Sequence, residues 1–380
     1  MSEVKTCELG ALIEFQRGYD LPKSEFRNGP YPVQSSNGIL GYHIDYKVEG
    51  PGITIGRSGT VGIPHYLNEN FYPHNTTLFV KDFKGNDRKY IYYLLKHLKL
   101  NDFKTGSGVP TMNRNHLHPL KVNAFIDKNY QVKLSSILSI LDQKIALNNQ
   151  INEELEAMAK TLYDYWFVQF DFPDENGKPY KSSGGKMVYN DQLKREIPEG
   201  WGVEAISNIL DKVPNSNKIV REEYLDFGTI PVIDQSREFI CGYTENQNSI
   251  LTPNDGHIVF GDHTRIVKYI NFEYARGADG TQIIISKNEN VPTVLLYQFI
   301  SSIDLSNYGY ARHYKFLKEK LILVPNINIS GKYSENAETI FNRIRQTIFE
   351  NQELSQLRDW LLPMLMNGQV KVEENFRGVK

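Results

Sequence analysis

Residues 127–167 read DKNYQVKLSSILSILDQKIALNNQINEELEAMAKTLYDYWF, and how this stretch is read decides the fold. From Leu134, every seventh residue is Leu134, Leu141, Asn148, Leu155 and Leu162; three positions further on in each heptad come Ile137, Lys144, Ile151, Met158 and Tyr165. Apolar residues at these two heptad positions form one stripe, and no Gly or Pro interrupts it. Most other positions hold good helix formers or polar residues, such as Gln143, Gln150, Glu153, Glu154 and Lys160. The spacing predicts one helix, roughly 55–60 Å long at ~1.5 Å per residue. A single apolar stripe needs a partner. Either the helix is buried in one ordinary core, or it is half of a coiled coil that acts as a ruler. A second helix of the same character closes the chain and favours the ruler. It is expected over residues 335–367, with Ile340, Ile344, Ile348, Asn351, Leu354, Leu357, Leu361 and then Met364 or Leu365 as its stripe.

Before the first helix, residues 1–126 read as a mixed α/β domain, with short apolar runs punctuated by Gly, Pro and Asn. These runs are Ile53-Thr54-Ile55, residues 63–67, 77–80 and 120–124, with one amphipathic helix over 88–100. Residues 127–168 are the first spacer helix. Residues 169–200, rich in Pro, Gly, Lys and Asp, read as a linker. Residues 201–332 then repeat the grammar of the first domain. Pro32-Val33 recurs as Pro231-Val232, and Ile53-Thr54-Ile55-Gly56 as Ile258-Val259-Phe260-Gly261. The helix near Ile91 recurs near Leu295, and Lys121-Val122-Asn123 sits where Ile322-Leu323-Val324 sits. Residues 333–380 are the second spacer helix and a tail. The expected fold is therefore α+β: two globular domains in tandem repeat, separated by two long helices that pair as an antiparallel coiled coil, with pseudo-twofold symmetry and a domain at either end. Asn148 and Asn351 would set register at some cost in stability, or are simply tolerated polar positions.

Composition limits the function. A 40% hydrophobic content supports real cores, so this is not a disordered chain. With 43 basic and 45 acidic residues, any nucleic-acid surface must be local. Cys7 and Cys241 offer neither a disulfide framework nor a CxxC pair. The sequence begins without a signal peptide and has no run long enough to span a membrane, so a cytoplasmic location is expected. No catalytic signature is visible. There are no adjacent prolines, hence no Asn-Pro-Pro-aromatic motif of amino-methyltransferases. There is also no GxGxxG, no P-loop and no HExxH. His116 and His118 lack a third ligand nearby, and Pro173-Asp174-Glu175 with Lys178 lies in the linker rather than on adjacent strands. No cofactor or metal is expected on this chain.

Polar loops at matched positions of the two repeats point to DNA instead. Arg57-Ser58-Gly59-Thr60 links two strands. A hairpin turn accounts for it, but Arg can read guanine bidentately, and hydroxyls can bond base edges or phosphates. Its counterpart is Asp262-His263-Thr264-Arg265. Ser35, Ser36 and Asn37 correspond to Gln235, Ser236 and Arg237. Lys104, Thr105, Ser107, Thr111, Asn113 and Arg114 correspond to Tyr308, Tyr310, Arg312 and His313, while Arg276 stands opposite His74 and Asn75. The scaffold recurs and the polar tips differ, as two readers of different sequences require. Residues 1–127 hold 15 Lys or Arg against 12 Asp or Glu, and residues 201–332 hold 13 against 15. Phosphate neutralisation dominates DNA affinity, so tight binding by this chain alone is not expected and a basic partner would help.

The chain resembles the specificity subunits of type I restriction-modification systems. The resemblance is carried by Ala157 through Val168 (AMAKTLYDYWFV), by Asn190-Asp191 and Ile197-Pro198-Glu199-Gly200-Trp201, and by residues 361–370 (LLPMLMNGQV). The first domain lacks the Pro-Glu-Gly-Trp opening of the second and begins near Cys7-Glu8-Leu9-Gly10. The resemblance implies two target-recognition domains, each reading half of an interrupted site on double-stranded DNA. It implies helices that recruit two methyltransferase subunits, with restriction/translocase subunits joining them. S-adenosylmethionine, ATP and Mg would then be bound only by the partners. The competing readings are a coiled-coil scaffold without DNA readout and a stand-alone methyltransferase or nuclease.

Overall fold

The computed structural model describes residues 3–102, 111–213, 216–309 and 312–372. Contacts divide the chain into two compact units. One combines residues 1–147 with 351–380, and the other is residues 148–350. Each long helix is therefore shared between the units.

The first long helix runs over Lys128–Tyr163 and is capped by Asp127, whose carboxylate accepts from the amides of Asn129 and Tyr130 at 2.8 and 3.1 Å. Five further residues, Asp164–Val168, continue it as a wider π-turn. The second runs over Ile327–Met366, beginning eight residues ahead of the expected start. Asn326 caps it, accepting from the Asn328 amide at 2.8 Å. Its first two turns, INISGKYS, hold a Gly and no clear stripe, which hid the start. Their inward residues are Ser330 and Tyr333, both 0% exposed.

In the first unit, the strand Val4–Glu8 pairs antiparallel with Lys121–Phe125. A four-stranded sheet orders Glu14–Arg17, Thr77–Asp82, Gly52–Gly56 and Pro64–Leu67; a three-stranded sheet orders Gly38–His43, Tyr31–Ser35 and Tyr72–Pro73. The helix Arg88–His97 starts where Asp87 accepts from the Tyr90 amide at 2.7 Å, and it buries Tyr90, Ile91, Leu94 and Leu95. Its core takes in Leu134 and Leu138 of the first long helix, and Leu362, Leu365 and Met366 of the second. Each fully buried side chain of this kind contributes roughly 1.5–3 kcal/mol.

The second unit repeats this plan. The strand Gly202–Ala205 pairs antiparallel with Leu321–Val324. His257–Gly261 lies between Val267–Ile270 and Thr281–Ile284, and Ile230–Ile233 lies between Gly242–Thr244 and Tyr274–Arg276. The helix Thr293–Ser302 stands where Arg88–His97 stands. Both domains contain the same short parallel pairing, Val33↔Tyr72 with Gln34↔Pro73 and Val232↔Ala275 with Ile233↔Arg276.

Residues 169–200 are folded rather than a loose linker. Phe170, Phe172 and Ile197 are buried with Tyr163, Trp166, Phe167 and Trp201, and Met187–Asn190 forms a hairpin with Arg195–Pro198. Phe172 stacks on Trp201 with centroids 5.1 Å apart, and Phe167 meets Tyr333 edge-on at 5.0 Å. The wide turn over Asp164–Val168 lets the adjacent Trp166 and Phe167 both enter this core.

The helices pair antiparallel in each unit. In the first, Asp142 bonds Arg358 at 2.9 Å and the Tyr130 hydroxyl accepts from the Val372 amide at 3.4 Å. In the second, Asn148 Nδ2 donates to Glu350 at 2.9 Å and Thr347 Oγ1 donates to Asn152. The strict heptad does not hold. Leu134, Asn148 and Ile344 are buried, whereas Leu141, Leu155, Leu162, Asn351, Leu354 and Leu361 are half-buried, as is Lys144. Met158 and Tyr165 are exposed, and Ala159, Tyr163 and Trp166 take the inward positions. A straight α-helix drifts against a 3.5-residue repeat, so a stripe that must meet a globular core follows 3.6 instead.

Candidate nucleic-acid interface

In the first domain, four loops converge around Arg57. The Arg57 amide donates to the Thr76 carbonyl at 2.8 Å, and the Met112 amide donates to the Arg57 carbonyl at 2.8 Å. The His74 amide donates to the Gln34 carbonyl at 2.8 Å, and the Thr60 amide donates to Asn37 Oδ1 at 3.3 Å. Thr76 Oγ1 accepts from the Ser36 amide at 3.3 Å and lies 3.2 Å from His74 Nδ1. Segments 34–37, 56–60, 73–77 and 111–114 thereby form one surface.

The second domain repeats the three backbone bonds of this scaffold. The Asp262 amide donates to Gly280 at 2.7 Å, the His313 amide to Asp262 at 3.0 Å, and the Gly277 amide to Ile233 at 2.8 Å. These match the Arg57–Thr76, Met112–Arg57 and His74–Gln34 bonds. Both turns follow a glycine that closes tightly: a Cβ at Gly56 would run into the Thr60 carbonyl, and one at Gly261 into the Thr264 hydroxyl. Each turn then needs a left-handed residue, Gly59 at φ +82° in one and Arg265 at φ +63° in the other.

The tips differ. Asn37, Thr60, Thr111, Asn113 and Arg114 are exposed, and Arg57, Ser58, His74 and Asn75 are half-buried. Ser35 and Ser36 are buried; the Ser35 hydroxyl donates to the Gly38 carbonyl at 2.8 Å and holds the loop from within. An open cleft of about 630 Å³ is lined by Gln16, Arg17, Arg57, Asn113, Arg114 and Asn115 among others. The sequence reading missed Gln16 and Arg17, because they sit on a strand end rather than in a Gly-containing loop. Asp20 accepts from Arg17 at 3.0 Å and from Asn75 Nδ2. The Asn75 bond, with the nearby Arg17 and His74, holds the Asp20 carboxyl below its usual range. Burial lowers the His74 pKa, which favours the neutral ring, while the nearby Asp20 opposes that shift.

In the second domain, Arg237, His263, Thr264, Arg265 and Arg312 are exposed. Gln235 ties three segments, its Oε1 accepting from the His263 amide at 3.2 Å and its Nε2 donating to the Asp279 carbonyl at 2.9 Å. Thr264 Oγ1 donates to the Gln235 carbonyl at 2.7 Å, and the Ser236 amide donates to Asp234 at 2.7 Å. Two of the expected contacts point inward. His313 is buried with Nδ1 2.9 Å from the Asp262 carbonyl, and the Arg276 guanidinium donates through Nε to the Thr281 carbonyl at 2.9 Å. Both shape the loops from behind. Tyr308 stacks on Phe316 at 4.2 Å and accepts from Lys320 at 3.0 Å. Lys104, Thr105, Ser107 and Tyr310 lie outside the described residues. Among the described residues, no three His, Cys, Asp or Glu side chains gather as a metal site, and no helix is long and apolar enough to cross a membrane.

Residues 1–157 match the family model described as the type I restriction modification DNA specificity domain. The chain is 26% identical to the type I restriction enzyme MjaIX specificity subunit of Methanocaldococcus jannaschii over 313 residues, covering 75% of this chain and 70% of that protein. It is 24% identical to the HindI specificity subunit of Haemophilus influenzae over 322 residues, covering 64% and 68%. Its fold is similar to the crystal structure of a type I restriction-modification S subunit from M. genitalium, with a TM-score of 0.61 at 16% identity over 98% of this chain and 97% of that one.

Proposed function

We propose that the chain is a specificity subunit of a type I restriction-modification system, a reading supported by the match of residues 1–157 to that specificity domain and by its similarity to two such subunits. It is the non-catalytic subunit that supplies sequence specificity. Each domain reads one half of a bipartite, interrupted site on double-stranded DNA, through its four converging loops. The observation that carries this reading is the matched scaffold: three backbone bonds recur in both domains beneath different side chains. A constant frame with exchanged tips is what two readers of unlike half-sites require.

In the first domain, Arg57 and Arg114 face one cleft, where a guanidinium can bond guanine O6 and N7 or a phosphate. In the second, Arg237, Arg265 and Arg312 take this role. The paired helices set the number of base pairs between the half-sites and recruit two methyltransferase subunits, which bring S-adenosylmethionine. Restriction/translocase subunits, with ATP and Mg, join that assembly in the cytoplasm.

The test is a methylome. Single-molecule sequencing of host DNA, with and without this gene, should show one interrupted motif that vanishes on deletion. The purified chain alone should transfer no methyl group from labelled S-adenosylmethionine to DNA. Methylation by the chain alone, or an unchanged methylome, would sink the reading.

A further inference from the structure

Lys268 stands on the strand Val267–Ile270 of the second domain and is only 4% exposed. Its ammonium donates to the Asp234 carbonyl at 2.9 Å, to the Glu238 carbonyl, and to the Phe239 carbonyl at 3.4 Å. An ammonium has three N–H donors. All three are thus directed at the backbone of one segment, the loop 234–239 that presents Gln235, Ser236 and Arg237. Burial pulls the Lys268 pKa down, and the nearby Asp234 carboxylate opposes that shift.

The first domain has a counterpart. Strand register pairs Ile55 with Pro64 and Thr54 with His65; in the second domain it pairs Phe260 with Val267 and Val259 with Lys268. His65 therefore occupies the register position of Lys268. It is half-buried, burial lowers its pKa, and the Ser36 backbone stands beside its ring. A nitrogen-bearing side chain thus occupies the same register position in both repeats, with His65 Nε2 buried and lacking a hydrogen-bond partner.

We propose that Lys268 is a positioning residue for sequence reading by the second domain, with His65 its equivalent in the first. Being buried, Lys268 does not reach DNA; it holds the loop that does. This rests on reading segments 34–37 and 234–237 as DNA-contacting loops. A methionine in place of Lys268 fills similar space but leaves the three carbonyls without their donor. The loop then samples several geometries, and its contacts lose their fixed directions.

The full chain, expressed with its methyltransferase subunits, is compared with Lys268→Met and Arg237→Ala by mapping methylated sites. Arg237 is exposed on the loop, so Arg237→Ala identifies the half-site that this loop reads. Lys268→Met is expected to reduce discrimination at that half-site about tenfold or more, with the other half-site unchanged. If Arg237→Ala alters the half-site and Lys268→Met does not, the positioning role is overturned and the loop reading stands. If neither alters it, the loop reading fails and the proposal with it. Equal loss at both half-sites overturns the proposal in favour of general damage to the fold. Should the Met variant not accumulate, Lys268→Gln, which keeps N–H donors but not three, is read by the same criteria.

Discussion

The Met112 amide donates to the Arg57 carbonyl at 2.8 Å, fixing the turn that carries the Arg57 side chain against the segment that carries Arg114. The guanidinium itself is held lightly, with Nη1 3.5 Å from the Asn75 carbonyl. A backbone held this firmly can spare its side chain for a ligand. Arg57→Ala should therefore leave folding nearly intact and relax or abolish only the half-site read by the first domain, by about 1–3 kcal/mol of discrimination. Methylome mapping of the variant tests this; equal loss at both halves would point to a folding defect.

The gap between half-sites should follow the helices. Four residues inserted after Leu147 of the first helix and four after Glu350 of the second add ~6 Å to each. At ~3.4 Å per base pair, the unspecified gap should lengthen by about one or two base pairs while both half-sites stay the same. An unchanged gap in the methylated motif refutes the ruler.

Arg358 links the second helix to the first domain. It donates to Asp142 at 2.9 Å, and the same carboxylate accepts from the Tyr93 hydroxyl at 2.7 Å. Both charged partners are largely shielded, with side chains 19% and 31% exposed. Arg358→Ala should cost about 1.5–3 kcal/mol of stability in the first unit, the range for a charged hydrogen bond lost without replacement. Arg358→Lys should restore only part of it, because an ammonium lacks the planar fork. Urea unfolding of the three proteins measures this, and equal midpoints would contradict it.

His257 predicts acid sensitivity. It is buried with Nδ1 3.1 Å from the Tyr274 hydroxyl, and burial lowers its pKa from 6.5 to about 4. The folded state therefore holds it neutral while the unfolded chain protonates it near pH 6.5. Between about pH 6.5 and 4 the unfolded state binds more protons, so stability falls as pH drops through this window. The loss should reach roughly 1–3 kcal/mol. His257→Gln, neutral throughout, should flatten that part of a stability–pH profile; an identical slope would exclude His257 as the cause.

Much of this was legible in the chain alone. The 127–167 stripe announced a long helix because apolar spacing survives any tertiary context, and Lys128–Tyr163 follows it. The repeat was legible because strands such as Gly52–Gly56 and His257–Gly261 must bury the same face. Which polar loop residues face outward was not legible. Ser35, Arg276 and His313 resemble surface contacts in sequence, yet their bonds to Gly38, Thr281 and Asp262 turn them inward. Arg17 carries no loop signature and joins the cleft only because a sheet edge brings it beside Arg57.

By itself, the sequence determined a tandem of two mixed domains with two long helices, since hydrophobic periodicity and repeat spacing are local properties. Only the tertiary structure decided the inward stripe, turning Met158 outward and Ala159 inward, because a helix that meets a globular core keeps 3.6 residues per turn. It alone folded residues 169–200 into an aromatic core. It also put Lys268 beneath a loop some thirty residues earlier in the chain, a contact set by strand register rather than by spacing along the chain.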